Sequence, residues 1–199
     1  TLNKLDIWDH NHELQDCIVD LNILLETIGP PQRDNWVVIM AGGKGQRLRP
    51  LTENTPKPLL NVGSKPLLEN IIENIREYGL SKFFITLNYK ADMIEDYFGD
   101  GSQWDVNISY VREKNKLGTA GAISLLPESP SEPLIVMNGD LLTKVNFENI
   151  LEFHTINKAE ATICGREYDF QVPYGVIQVD KHNLVSIQEK PVHSFFVNA

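Results

Sequence analysis

Residues 36–58 read WVVIMAGGKGQRLRPLTENTPKP: a short apolar run, a glycine turn, then a basic segment punctuated by three prolines. Trp36 to Met40 is rich in β-branched residues and has the length of a fully buried strand. Gly42, Gly43 and Gly45 let the backbone turn sharply and leave amide N–H groups free to face an anion, as glycines beside a phosphate do. Charge points the same way. Between Lys44 and Lys65 lie five of the 18 basic residues but only Glu53 of the 27 acids, in a chain of net charge −9. A small positive island in an acidic protein suits a small polyanionic ligand, whereas nucleic acid wants a wider basic face.

Two familiar phosphate loops fail against this stretch. The dinucleotide fingerprint needs a third glycine and a helix opening at once, so that a pyrophosphate sits on the helix N-terminus. Leu48 stands where that glycine should be, and Pro50, Pro56 and Pro58 would break a helix begun at Gly45. The ATPase-type loop needs Gly-Lys-Ser/Thr after four intervening residues, and no such string occurs. What is left is an extended loop of backbone amides assisted by Arg47 and Lys57.

With 199 residues, 42% hydrophobic and 23% charged, the chain reads as a globular protein able to bury one good core. No apolar stretch approaches membrane-spanning length, and no basic-then-apolar leader opens the sequence, so neither a membrane nor export is expected. Cys17 and Cys164 form no disulfide or zinc pattern, and a reducing cytoplasm is the default. His10 and His12 flank an asparagine and read as a polar hairpin tip, with no third metal ligand near.

In chain order, Lys4–Trp8 and Leu14–Leu21 read as a hairpin, with a short helix over 21–27 stopped by Gly29-Pro30-Pro31. After the glycine loop, the apolar residues Leu67, Leu68, Ile71, Ile72 and Ile75 share one helix face, with Pro66 at its start and Gly79 at its end. Strands are predicted at Phe83–Leu87, Val106–Val111 and Leu134–Met137, and helices at Ala91–Phe98, Gly118–Leu126 and Phe147–Ile156. Three further strands follow, at Thr162–Arg166, Gly175–Val179 and Leu184–Glu189, and Val192 opens another. Such alternation predicts an α/β fold, a doubly wound, mainly parallel sheet. Ligands of such sheets lie at the carboxyl ends of the strands, where the glycine loop and Asp140 both fall. Residues 1–31 are expected to end a preceding module and 32–199 to form the main domain.

GGKGQRLRPLTENTPKPLLNVGSKPLLENII, residues 42–72, resembles the signature of the sugar-1-phosphate nucleotidyltransferases: G-x-G-x-R-L-x-P-x-T followed by P-K-P. IVMNGDLLT resembles that family's metal-binding strand end, which puts Asp140 on magnesium. By itself, an aspartate in a turn is a turn residue. LGTAGAI, residues 117–123, is similar to the family's nucleotide-binding turn, and small residues there also suit a helix packed on a sheet. YGVI and EKP, at Tyr174–Ile177 and Glu189–Pro191, resemble its sugar and sugar-phosphate contacts.

The resemblance implies transfer from a nucleoside triphosphate to a sugar 1-phosphate, with Arg47, Lys57 and Asp140 as the catalytic groups. Ala41, Gly42, Gly43, Gly45, Glu113, Gly118 and Thr119 would hold the nucleotide, and Tyr174, Gly175, Glu189 and Lys190 the sugar phosphate. An acidic residue before LGTAG is similar to the mannose-1-phosphate guanylyltransferase branch. Glu113 takes that place and implies GTP, although Lys116 stands where that branch often has proline. Two guanine donors suit a carboxylate, and a lone charge in the run Arg112–Lys116 also suits a solvated loop. The family's second metal-binding aspartate lies on a strand beyond Ala199, so the chain is expected to be incomplete at its C-terminus. A catalytically inactive nucleotide-binding regulatory module is therefore the alternative function. The opening strand-turn-strand-helix order is similar to the tail of a cystathionine-β-synthase-type (CBS) regulatory domain, and a homo-oligomer is an expected assembly.

Overall fold

A computed structural model describes residues 3–8, 14–19, 29–113, 117–118 and 120–198. β1 (Asn3–Trp8) pairs antiparallel with β2 (Leu14–Val19), Lys4 opposite Ile18, which is the hairpin that the sequence predicts. The expected helix over 21–27 and the residues His10 and His12 lie outside the described residues. The chain divides into two compact units, residues 1–151 and 152–199, each taken here by itself.

In the first unit, β3 (Arg33–Met40) leads through two 3-10 turns, at Gln46–Leu48 and Lys57–Leu59, to a two-residue pairing of β4 (Asn61–Val62) with β5 (Lys65–Pro66). Then follow α1 (Leu67–Arg76), β6 (Leu80–Leu87), α2 (Ala91–Phe98), β7 (Asn107–Arg112), β8 (Ile135–Asn138) and the first half of α3 (Phe147–Ile156), which the division at residue 151 cuts. The sheet order is β7-β6-β3-β8 and every pairing is parallel. A strand in the middle of such a sheet is covered on both faces and needs a continuous apolar run. β3 supplies it, with Val37, Val38 and Ile39 fully buried.

The helices answer to the same sheet. Leu67, Leu68, Ile71, Ile72 and Ile75 of α1 join one core with Val37, Ile39, Phe83, Ile85 and Ile108 of the strands and with Ile94 and Phe98 of α2. Each large side chain buried this way stabilises the fold by about 1.5–3 kcal/mol. Gly79, at φ 76°, ends the α1 turn where a Cβ would stand 2.0 Å from the carbonyl oxygen of Pro31, so only glycine fits.

One expected helix is absent in that form. Over Gly118–Leu126 the described residues hold only a 3-10 turn, Gly121–Leu125. Gly118 is left-handed at φ 85° and Leu126, before Pro127, is extended at ψ 143°, so both ends lie outside the helical region.

Strand order reverses at β3, with β6 and β7 to one side and β8 to the other. The carboxyl ends of β3 and β8 therefore flank the crevice where ligands of open parallel sheets bind. Sequence order alone does not reveal which strands flank it.

Beyond the end of α3, the second unit is built of antiparallel strand pairs. β9 (Gly165–Gln171) pairs with β12 (Val192–Asn198), and β10 (Val176–Asp180) with β11 (Asn183–Gln188) across a Lys181-His182 turn. The strand expected at 162–166 begins at Gly165 and runs to Gln171. Tyr168 and Phe170 alternate with Glu167 and Asp169 there, a polar-looking sequence that still pairs, Tyr168 opposite Phe195.

Candidate functional site

Local chemistry builds the loop after β3. Ala41 continues the strand far enough to donate its N–H to the Thr86 carbonyl at 3.0 Å, and it is buried. Gly42, Gly43 and Lys44 then make no hydrogen bond or ion pair among the described residues. Gly45 is left-handed at φ 61°, and its carbonyl accepts the Thr52 hydroxyl at 2.9 Å. A Cβ on Gly45 would sit 2.8 Å from Thr52 Cγ2 and 3.4 Å from Lys57 Cβ. The loop thus doubles back on itself, with Thr52 buried inside the fold of the loop at 1% exposure. Sequence reasoning gives Thr52 no role, although it is the threonine of the signature.

The doubling back carries Lys57 to the end of β8. Lys57 Nζ lies 2.5 Å from Asp140 Oδ2. Asp140 follows Gly139, whose N–H donates to the Met40 carbonyl at 2.9 Å and whose Cα is so close to β3 that a Cβ would meet Ala41 Cβ at 3.1 Å. Gly139 therefore seats the aspartate against the root of the glycine loop. Arg47 and Arg49, on the outside of the loop, are exposed, and their guanidinium groups have no ion-pair partner among the described residues.

A second corner forms at the ends of β3, β6 and β7. The Glu113 N–H donates to the Leu87 carbonyl at 2.9 Å, and its own carbonyl accepts Asn88 Nδ2 at 2.9 Å. Glu113 Oε1 lies 3.6 Å from where a Cβ on Gly42 would stand, and Oε2 accepts the Leu117 N–H at 3.4 Å. Gly42, Glu113 and the Leu117-Gly118 turn are thus brought together, and a Cβ on Gly118 would meet nothing within 4 Å. Thr119 lies outside the described residues. Asn88 escapes sequence reasoning, because a single asparagine after a strand has the signature of an ordinary turn.

Tyr174, Gly175, Glu189 and Lys190 fall in the second unit. A Cβ on Gly175 would stand 3.0 Å from Glu189 Oε2, so glycine leaves that carboxylate its place. Lys190 is left-handed at φ 45°, its carbonyl accepts Gln171 Nε2 at 3.4 Å, and Tyr174 is 74% exposed.

Asp140 offers one exposed hard-oxygen ligand, and the described residues hold no cluster of three or more His, Cys, Asp or Glu able to cage a metal. That donor set fits a magnesium ion that takes its other ligands from phosphate and water, as such ions do in phosphoryl sites. No helix among the described residues is long and apolar enough to cross a membrane.

Comparison with known proteins converges on one group. A family model described as Nucleotidyl transferase matches residues 36–198. The chain is 37% identical over 162 residues to a mannose-1-phosphate guanyltransferase of Yarrowia lipolytica, covering 78% of this chain and 44% of that protein. It is 37% identical over 149 residues to a mannose-1-phosphate guanylyltransferase of Mycobacterium tuberculosis, covering 74% and 42%. Among solved structures, HddC of Yersinia pseudotuberculosis complexed with GMP-PN superposes with a TM-score of 0.58 at 27% identity, over 82% of this chain and 73% of that one. The chain spans less than half the length of the curated relatives it matches.

Proposed function

The chain belongs to the nucleotidyl transferase family, and we propose that it serves the transfer of a nucleoside monophosphate from a nucleoside triphosphate to a sugar 1-phosphate. A phosphate oxygen of the sugar 1-phosphate attacks the α-phosphorus in line. The bond to the β,γ-unit breaks, pyrophosphate leaves, and a nucleotide sugar remains. Little covalent participation is needed for this, and positioning with charge neutralisation is the protein's task.

The observation that carries this reading is the pairing of Lys57 with Asp140 beneath a loop of unengaged amides. Gly42, Gly43 and Gly45 would present N–H groups to the triphosphate, with Arg47 outside and Lys57 nearer the reacting phosphorus. Asp140 would hold magnesium, which when bound supplies further positive charge to the phosphates. Lys190 would meet the sugar phosphate, Glu189 and the Gly175 backbone the sugar hydroxyls, and Tyr174 the sugar.

For the base, we favour guanine. Glu113 Oε1 is turned toward Gly42, and a carboxylate only accepts, which suits the N1–H and exocyclic amine of guanine and not the carbonyls of uracil or thymine. The guanylyl transfer named for the Yarrowia and Mycobacterium relatives supports the choice. We place the working domain at residues 32–199, since the family match begins at residue 36.

Pyrophosphate release tests the reaction: the chain is supplied with magnesium, each of GTP, UTP, CTP, dTTP and ATP, and a panel of sugar 1-phosphates. Release with one triphosphate and one sugar class is expected. Saturable nucleotide binding with no release under any pairing would favour a binding module instead.

A further inference from the structure

We propose that Asn88 is a positioning residue for base selection, setting the distance between the Glu113 carboxylate and the Gly42 backbone. This rests on the reading that Glu113 meets the base.

Asn88 is the first residue beyond β6, the strand that lies between β3 and β7 in the sheet. It touches both walls of the corner. On one side, its Cβ and backbone nitrogen lie 3.3 and 3.4 Å from where a Cβ on Gly42 would stand, so the glycine packs directly on it. On the other, Nδ2 donates to the Glu113 carbonyl at 2.9 Å. The preceding residue holds the other backbone polar group of Glu113, the Leu87 carbonyl accepting the Glu113 N–H at 2.9 Å. Residues 87 and 88 therefore grip Glu113 at both backbone polar groups, and the grip on the carbonyl is a side chain.

The carboxylate itself is weakly held. Its one hydrogen bond among the described residues is from the Leu117 N–H at 3.4 Å, long for N–H···O. Orientation of the carboxylate thus depends on its backbone anchors. A pair of hydrogen bonds to a base edge demands placement within about half an ångström. Asn88 is exposed, so truncating it removes the anchor without opening a cavity in the core.

The test is calorimetric binding of GTP and of UTP, with magnesium, to the wild-type chain and to Asn88→Ala, Asn88→Ser and Glu113→Gln, each checked by thermal unfolding. Wild type should prefer GTP. Asn88→Ala should reduce the GTP:UTP affinity ratio by about tenfold or more, through GTP alone. Asn88→Ser, which keeps a short donor, should restore part of the ratio. If Asn88→Ala keeps the ratio while Glu113→Gln abolishes it, the proposal fails and the base reading stands. Should the wild-type chain show no preference, the base reading fails and takes this proposal with it. Equal weakening of both nucleotides by Asn88→Ala, or no difference between the Ala and Ser variants, would make Asn88 merely structural and overturn its role in selection.

Discussion

Lys57 Nζ lies 2.5 Å from Asp140 Oδ2, although 83 positions separate the two residues in the chain. Their side chains are 29% and 45% exposed, and an ion pair open to solvent contributes only about 0–1 kcal/mol to stability. The pair is therefore better explained by what it does for a ligand than by what it does for the fold. Lys57→Ala and Asp140→Asn should unfold within a few degrees of wild type. Each should lower turnover by about a hundredfold or more, as removal of one charge-stabilising group does. Differential scanning calorimetry beside pyrophosphate release checks both halves. Unchanged turnover in either variant contradicts the roles proposed for these residues.

The Gly45 turn is testable without activity. Its φ of 61° and the 2.8 Å approach of Thr52 Cγ2 leave no room for a side chain. Gly45→Ala should cost at least about 1–2 kcal/mol from the left-handed conformation alone, more if Thr52 cannot shift. Thr52→Val, which removes the hydroxyl bonded to the Gly45 carbonyl, should cost about 1 kcal/mol. Urea denaturation reads both, and triphosphate affinity should fall with them.

Lys190→Ala should raise the KM for the sugar 1-phosphate while leaving the affinity for the nucleoside triphosphate unchanged. Separate titrations of the two substrates distinguish this from general damage, which would move both.

Tyr110 predicts a limb of the stability profile in alkali. Burial, with Glu95 and Asp100 adding to it, pushes its hydroxyl from 10.0 up to about 12, and that hydroxyl donates to the Gly99 carbonyl at 2.7 Å. Between those two values the unfolded chain releases a proton that the folded chain keeps. The contribution of Tyr110 to stability is therefore full below pH 10 and is lost as the pH rises toward 12. Tyr110→Phe should lose the hydrogen bond at neutral pH and show a shallower alkaline fall. Denaturant midpoints at pH 9, 10 and 11 measure the difference, and parallel slopes for the two proteins would count against it.

Much of this protein is legible in its sequence. The run 36–40, the one-sided apolar face of α1 and the bounds of α2 and α3 follow from periodicity, because each element must present its own apolar residues to the core whatever its neighbours are. The glycine loop and its cations are equally local, since φ near +60° at Gly45 and the charges of Arg47 and Lys57 belong to one short stretch of chain. Sequence rules misread Gly118–Leu126, where small apolar residues suggest a helix and a left-handed glycine and a proline at the two ends prevent it.

The order β7-β6-β3-β8 was decided by tertiary packing, because parallel strands meet through long crossovers that no local pattern encodes. That order sets the ends of β3 and β8 side by side and brings Lys57 to Asp140. It also places Asn88 between Gly42 and Glu113. An asparagine after a strand is an ordinary turn residue in sequence, and it becomes a candidate for selecting a base only when three strand ends converge on it.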